Sequence, residues 1–247
     1  MGIPSGLFHI RAAGSAVFGL RQCVPHLAAR AESGMDVTTD HGHTIRDAVL
    51  SGDTSADMVV LPVPMIDALA DRGFVAREGI AALGSVGIGA VTRAGATLTA
   101  PDDMARLREA LLAADAVFLT LAPTGEHLLN VIRELGLAQA VERKLRRFDK
   151  ASHLNAALAA SMATRPLGFA PVTEILSWHP EAGFAANNSP AAGGIAFLGP
   201  VPDEIQDMVH YAAALRAGTT RMDIGREVLG ALTGSEARLA FRQTGMR

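Results

Sequence analysis

Residues 7–17 read Leu-Phe-His-Ile-Arg-Ala-Ala-Gly-Ser-Ala-Val, and this stretch decides the fold. An apolar segment ending at Ile10 is typical of a buried strand, and small residues follow from Ala12 to Gly14. Ser15 stands where a helix is expected to begin, and we interpret its hydroxyl as the helix cap. The first N–H groups of a helix lie at the positive end of the helix dipole. The stretch therefore predicts a strand, a tight turn and a helix start that favours an anion.

The same junction recurs along the chain. Residues 35–39 are predicted as a strand, and Asp40-His41-Gly42-His43-Thr44 leads from it into a second helix. Residues 57–62 consist of Asp57 and a continuous apolar run from Met58, and the run indicates a third strand, buried on both faces. Farther on, Pro123-Thr124-Gly125 follows an apolar strand and begins another helix. Because short connections join alternating strands and helices, the sequence predicts an α/β fold with mostly parallel sheets flanked by helices.

The order of these elements predicts two lobes. The first comprises residues 1–91 and 195–247, and the second comprises residues 92–194. A strand at 81–91 is expected to leave the first sheet, and residues 195–198 are expected to return to it. Residues 181–194 are interpreted as a loop, and the basic run 143–147 as a solvated helix face. Two lobes joined by two crossing segments would place a ligand cleft between them.

Composition narrows the functional classes. The chain has 247 residues, a net charge of −3 and only 4% aromatic residues, which argues against a nucleic-acid partner. No apolar run reaches the roughly 18 residues of a membrane span, and residues 1–20 lack the pattern of an export signal. We therefore expect a cytoplasmic protein as the sequence is written, and a periplasmic one if its N-terminus was trimmed. The single cysteine, Cys23, excludes an internal disulfide.

Several short motifs follow one another in a fixed order. They are Ala12-Ala13-Gly14-Ser15, Thr44-Ile45-Arg46, Ser51-Gly52, Ala56-Asp57-Met58-Val59-Val60, Pro123-Thr124-Gly125, Leu135-Gly136, Leu167-Gly168-Phe169 and Leu232-Thr233-Gly234-Ser235-Glu236-Ala237-Arg238. In this order and spacing, the chain resembles the molybdate-binding-protein-like family of type II periplasmic solute-binding proteins over residues 7–246. The resemblance implies two hinged α/β lobes, a small anionic ligand in the cleft, no cofactor and a monomer.

The family's ligand positions can be carried over one by one. Ser15 matches the first hydroxyl ligand, Thr124 matches a backbone N–H ligand, and a further backbone ligand falls near His153 or Leu154. Gly42 stands where the family has its second hydroxyl, and its tyrosine is missing near position 171. The resemblance therefore implies an anion of a shape other than molybdate or tungstate.

Histidines and small residues at the junctions supply the candidate chemistry. The predicted acid–base groups are His41, His43, Glu126 and His127. The predicted ligand-binding residues are Arg11, Gly14, Ser15, Gly42, Thr44, Thr124, Gly125 and His153. Imidazoles bind carboxylates or transfer protons, and arginine is a bidentate partner for a carboxylate. The alternatives are solvated loop histidines and an arginine paired with an acid. The histidine spacing matches no established zinc pattern, so no metal is predicted.

Two functions remain open from the sequence. The first is binding of a small carboxylate or oxyanion between the lobes, which needs only the fold and the junctions. The second follows from residues 198–206, where the chain is similar, at the level of fold, to aconitate isomerases. An isomerase of that kind would shift a double bond in an unsaturated polycarboxylate, with histidines as acid and base.

Overall fold

A computed structural model of the protein describes residues 6–179, 183–184 and 194–247. The chain divides into two compact units. The first contains the residues up to Val86 together with those from Val209 onward, and the second is Gly87–Met208. The predicted divisions fall at residues 91 and 195. Residues 88–91 and 195–200, which were predicted in the first lobe, pair instead within the second sheet.

The strands follow one another as short, mostly apolar segments. In chain order they are β1 (Phe8–Ala13), β2 (Met35–Asp40), β3 (Met58–Pro62), β4 (Val75–Val86), β5 (Ile88–Arg93), β6 (Ala116–Thr120), β7 (Leu145–Phe148), β8 (Pro166–Pro171), β9 (Trp178–His179), β10 (Gly183–Phe184), β11 (Ile195–Pro200) and β12 (Val209–Arg216).

Helices alternate with these strands along most of the chain. They are α1 (Gly14–Ala31), α2 (Gly42–Leu50), α3 (Val63–Asp71), α4 (Met104–Ala113), α5 (Pro123–Glu134), α6 (Ala138–Glu142), α7 (Ala151–Ala159), α8 (Val172–Leu176), α9 (Met222–Leu232) and α10 (Ser235–Gln243). Among the residues that the structure describes, no helix combines the length and the apolar character needed to cross a membrane.

The first sheet has the strand order β2-β1-β3-β12-β4. Strand β1 runs parallel to β2 and β3, whereas β12 is antiparallel to β3 and β4. Ala13 pairs with Asp40, and Ala12 pairs with Val60. The carboxyl ends of β1, β2 and β3 therefore lie along one edge of this sheet, which we call the first carboxyl edge.

The second sheet has the strand order β11-β5-β8-β6-β7. Strand β6 is parallel to β7 and β8, and β5 is antiparallel to β8 and β11. Thr120 pairs with Phe148, so β6 and β7 end side by side at what we call the second carboxyl edge. The predicted α/β fold class is confirmed, with two mixed rather than mostly parallel sheets.

Alternation along β6 gives the second sheet a separate core on each face. Val117 and Leu119 pack with Leu128 of α5 in one cluster, whereas Ala116 and Phe118 pack with residues of α7 in another. This is the period of two expected for a strand that is covered on both sides. The register therefore fixes which helix each side chain of β6 faces.

Three local predictions were wrong. Ala13, not Ser15, occupies the cap position of α1, and Ser15 is the second residue of the helix. The basic run 143–147 is not a helix face, because α6 ends at Glu142 and β7 pairs with β6 as an edge strand. Residues 195–198 do not return to the first sheet, because β11 pairs with β5 in the second.

Other local predictions had mixed outcomes. The predicted strand at 81–91 is interrupted at Gly87, where β4 ends and β5 begins. The sequence also predicts that Pro25 kinks or splits the first helix, but Pro25 lies inside α1 and the helix continues through it without dividing. The predicted loop at 181–194 falls mostly outside the described residues, although Gly183–Phe184 pairs with Trp178–His179.

The buried thiol of Cys23 allows a simple test of the core. Cys23 lies on the covered side of α1, and burial raises the pKa of its thiol to about 12. Because the thiolate is the reactive form, we expect an aromatic disulfide reagent at pH 8 to react roughly a thousandfold more slowly with the native protein than with the urea-unfolded chain. Equal rates in the two states would contradict the buried placement.

Candidate functional site

Helix starts line the first carboxyl edge. Helix α1 begins at Gly14, directly after β1, and α3 begins at Val63, directly after β3. Helix α2 begins at Gly42, two residues after the end of β2. Ser15 is buried in the first turn of α1, and that turn contains no acidic residue. The edge therefore collects the positive ends of several helix dipoles.

Gly42 is where α2 approaches α3. A Cβ atom at this position would lie 3.1 Å from Sδ of Met65 and 3.6 Å from a side-chain carbon of Pro62. The missing side chain therefore lets the two helix starts lie close together. Thr44, one turn into α2, is exposed.

The predicted acid–base pair His41 and His43 lies at the start of α2. Both side chains are exposed, and their rings stack with centroids 5.5 Å apart. The carboxylate of Asp40 accepts a hydrogen bond from the backbone N–H of His41 at 2.7 Å. An acidic group is therefore already present at this helix start.

Arg11 has a partner within the first unit. Its guanidinium donates to Oδ2 of Asp53 at 2.7 Å, in the loop between α2 and β3. The backbone N–H of Ser55, together with the charge of Arg11, holds the pKa of the Asp53 carboxyl below its usual value. Since this loop precedes β3, the pairing draws Arg11 away from the carboxyl edge. The role of Arg11 as a ligand clamp stays a prediction.

The second carboxyl edge carries the starts of α5 and α7. The N–H of Leu121 donates to the carbonyl of Phe148 at 2.7 Å, and α5 begins two residues later. Thr124 is the second residue of α5, and Gly125 is the third. A Cβ atom at Gly125 would lie only 1.8 Å from the carbonyl oxygen of Thr120. Glycine therefore allows the first turn of α5 to lie directly against the end of β6.

His127 is bound rather than free at this edge. Its Nε2–H donates to the carbonyl of Ile205 at 2.8 Å. A backbone carbonyl can only accept, so this nitrogen carries the proton. The neighbouring Glu126 is exposed in the first turn of α5. The contact favours a positioning role for His127 over proton transfer.

His153 lies in the first turn of α7 and is paired with Asp149. Its Nδ1–H donates to the carboxylate at 2.6 Å, and both side chains are exposed. This hydrogen bond keeps the pKa of Asp149 below its usual value. As at α2, a carboxylate precedes the helix start.

The sequence analysis missed Thr120, the last residue of β6. Its side chain is 2% exposed, and its Oγ1 has no hydrogen-bond partner among the described residues. By the alternation of β6, Thr120 lies on the same face as Ala116 and Phe118, which is the face that α7 covers. A hydroxyl residue ending an apolar strand just before a proline-started helix was the signal available in the sequence.

A second group of buried polar side chains lies where α7 packs on α8. Asn155 donates to the backbone carbonyl of Glu174 at 3.0 Å. Oδ1 of Asn155 and the hydroxyls of Thr173 and Ser177 are buried without partners in the part of the chain that the structure describes. Leaving such groups unpaired costs free energy, so this part of the second unit is less stable than an apolar contact of the same size would be.

Tyr211 is the only tyrosine in the sequence, and the sequence analysis also missed it. It pairs with Pro62 in the register of β12 on β3, which places it at the first carboxyl edge. The side chain is buried. An isolated tyrosine in an apolar strand gave no signal of this position, because its partner strand lies about 150 residues earlier.

The geometry brings the predicted residues together in two sets. Gly14, Ser15, His41, Gly42, His43 and Thr44 belong to the first carboxyl edge, and Thr124, Gly125, Glu126 and His153 belong to the second. Within residues 6–179 and 194–247, no three His, Cys, Asp or Glu side chains are arranged to hold a metal ion.

Two five-stranded α/β units with helix starts along their carboxyl edges define the architecture of a solute-binding protein. A model of the bacterial extracellular solute-binding protein family matches residues 8–247, and the chain belongs to that family. No curated protein sequence matches it.

Solved structures share the fold at low sequence identity. The periplasmic molybdate-binding protein of Azotobacter vinelandii is 14% identical with a TM-score of 0.71, and the match covers 98% of this chain and 99% of that one. The sulfate-binding protein SubI of Mycobacterium tuberculosis is 16% identical with a TM-score of 0.69, covering 97% and 86%. PEB3 with L-phospholactate bound is 11% identical with a TM-score of 0.67, covering 97% and 98%. The predicted molybdate-binding-like fold is confirmed.

Proposed function

We propose that this protein binds a small anion, a carboxylate or an oxyanion, between its two units. The observation that carries the proposal is the repeated junction in which a strand ends and a helix of nine residues or more begins at the same edge. Helices α1 and α5 are the main candidates, because backbone N–H groups of a first helix turn suit an anionic oxygen.

Three comparisons support an anionic ligand. The molybdate-binding and sulfate-binding proteins are named for oxyanions, and PEB3 holds L-phospholactate. The family itself is one of solute binders. Small-molecule recognition between helix starts is thus the use of this fold that best suits the residues of this chain.

The residues at the two edges favour a carboxylate over a compact tetrahedral dianion. Gly42 supplies no hydroxyl, and the carboxylates of Asp40 and Asp149 precede α2 and α7. A compact dianion would hold both of its charges beside one such acidic helix start, whereas a polycarboxylate distributes its charges over several partners. Exposed imidazoles at His41 and His43 are suitable partners for a second carboxylate of a longer ligand.

Binding is tested by titrating the protein with trans-aconitate, molybdate and sulfate in a calorimeter. We expect trans-aconitate to bind more tightly than either oxyanion. The variant Thr124→Asp adds a negative charge at the second position of α5, where an acid suits the helix dipole and preserves folding. We expect it to weaken binding by tenfold or more, or about 1.4 kcal/mol.

Ala138→Asp is the matched control for the added charge. Ala138 is exposed at the first residue of α6, beyond the far end of α5. This variant should bind like the wild type. If both variants lowered the affinity equally, the anion would not bind at the start of α5. If none of the three anions gave a heat of binding with the wild type, the proposal would be contradicted.

Incubating the protein with trans-aconitate also tests the isomerase alternative. An isomerase would change the ultraviolet absorbance of trans-aconitate over time, and His41→Ala or His43→Ala would abolish the change. The contact of His127 with Ile205 engages one of the three predicted acid–base histidines elsewhere, and His41 and His43 are both exposed to solvent. We therefore expect no turnover.

A further inference from the structure

The chain passes between the two units twice. One passage lies between Val86 and Gly87, and the other between Met208 and Val209. On the second-unit side, one side chain joins these two segments. Oε1 of Gln206 accepts from the N–H of Ile88 at 2.5 Å, and its Nε2 donates to the carbonyl of Ile88 at 3.1 Å. The amide thus pairs with Ile88 as a neighbouring strand would.

Gly87 makes this approach possible. A Cβ atom at position 87 would lie 2.7 Å from Sδ of Met208 and 2.8 Å from Oε1 of Gln206. Any other residue would force the side chains of Gln206 and Met208 to move. The Gln206 amide also donates to the carbonyl of Val201 at 3.4 Å, and the N–H of Val201 donates to the carbonyl of Ile88. We call the contact of Gln206 with Ile88 and Gly87 the crossover brace.

His127 connects the crossover brace to helix α5. It lies three residues after Thr124, about one turn into the helix. Its Nε2–H donates to the carbonyl of Ile205, the residue directly before Gln206. His127 is half-buried and Ile205 is buried within the second unit. A movement of the first turn of α5 would therefore be transmitted to the connecting segments through the hydrogen bond from His127 to Ile205 and the peptide bond from Ile205 to Gln206.

We propose that His127 and the crossover brace couple the occupancy of the anion site at α5 to the two connecting segments. The inference rests on the proposed function, since it takes the start of α5 as part of the binding site. His127 is a positioning residue in this scheme. It acts through Ile205 and Gln206, and it takes no part in contact with the ligand.

The crossover brace is tested first without ligand, by hydrogen–deuterium exchange of the peptide containing Ile88. Gln206→Leu keeps the size of the side chain but removes its two hydrogen bonds to Ile88 and the one to Val201, so we expect the Ile88 amide to exchange about tenfold faster. The matched control is Gln139→Leu at an exposed position of α6, which should leave this exchange unchanged. Unaltered exchange in the Gln206 variant would overturn the proposal.

The coupling is tested by adding saturating trans-aconitate, with molybdate in a second series. In the wild type we expect exchange at the two connecting segments to slow about fivefold on binding. His127→Leu removes the donor to Ile205 and should leave less than about a twofold change. His127→Gln can still donate to that carbonyl and should restore the effect, whereas His26→Leu on α1 is the unrelated histidine control.

The outcomes distinguish a failure of the proposed binding function from a failure of the coupling alone. If neither anion binds the wild type, the proposed function and the coupling fall together. If an anion binds but the connecting segments exchange at the same rate, or if His127→Leu and the wild type respond alike, the coupling is overturned and the binding function stands.

Discussion

Gly125→Ala is expected to lower the free energy of unfolding by about 3 kcal/mol, at the upper end of what overpacking costs. The added Cβ would lie 1.8 Å from the carbonyl oxygen of Thr120 and 2.8 Å from its carbonyl carbon. Both are backbone atoms, so no side-chain rotation can relieve the clash. The first turn of α5 must move away from β6, and we expect anion binding to be lost together with stability.

The measurement is thermal unfolding followed by circular dichroism. For a chain of this size the midpoint should fall by about 10 °C. Gly230→Ala is the matched control, because Gly230 is exposed within α9 and a Cβ there would meet nothing within 4 Å. Alanine should stabilise this helix by about 0.5 to 1 kcal/mol. If Gly125→Ala unfolded at the same midpoint temperature as the wild type, the close packing of α5 on β6 would be refuted.

Asp57→Ala is expected to cost about 3 kcal/mol, the low end of the range for breaking a buried ion pair. Asp57 precedes β3, and its carboxylate is almost fully buried. It accepts from the N–H of His9 at 3.0 Å, from the hydroxyl of Thr219 at 2.7 Å and from the guanidinium of Arg221 at 3.1 Å. Removing it leaves three donors without their acceptor. Asp67→Ala, at an exposed position of α3, should change the free energy of unfolding by less than about 0.5 kcal/mol.

The same carboxylate predicts a pH dependence. Burial alone would raise the pKa of Asp57, but the hydrogen bonds from His9 and Thr219 and the charge of Arg221 outweigh it, and the pKa lies below its usual value. Its contribution is therefore present above about pH 4 and is lost as the pH falls through the lowered pKa. Urea unfolding at pH 7 and pH 3 should show a smaller pH effect in Asp57→Ala than in the wild type. An equal effect in both proteins would contradict this assignment.

The sequence predicted what depends on local pattern. The apolar runs that form β1, β3 and β6 were sufficient to predict those strands. Pro123 correctly marked the first residue of α5. The alternation of strands and helices supplied the α/β class, and the family resemblance supplied the molybdate-binding-like fold; the structure and the family match confirm both. These features depend on residues that are close together in the chain.

Long-range pairing decided what the sequence could not show. The basic run at 143–147 has helix-forming residues, yet it ends in an edge strand because β6 offers a parallel partner. Residues 195–198 carry no local signal that distinguishes one sheet from the other. The partners of the candidate side chains are equally remote, since Asp53 lies 42 residues from Arg11 and Ile205 lies 78 residues from His127.

The position of β12 also determines when each unit can fold as the ribosome releases the chain. Strand β12 lies between β3 and β4, and β4 has no other partner among the described strands of the first sheet. That sheet therefore stays incomplete until residue 216 has been synthesised. The second unit is one continuous segment, Gly87–Met208, and can close its own core earlier. The first 86 residues therefore depend on a strand that is synthesised only after the whole of the second unit.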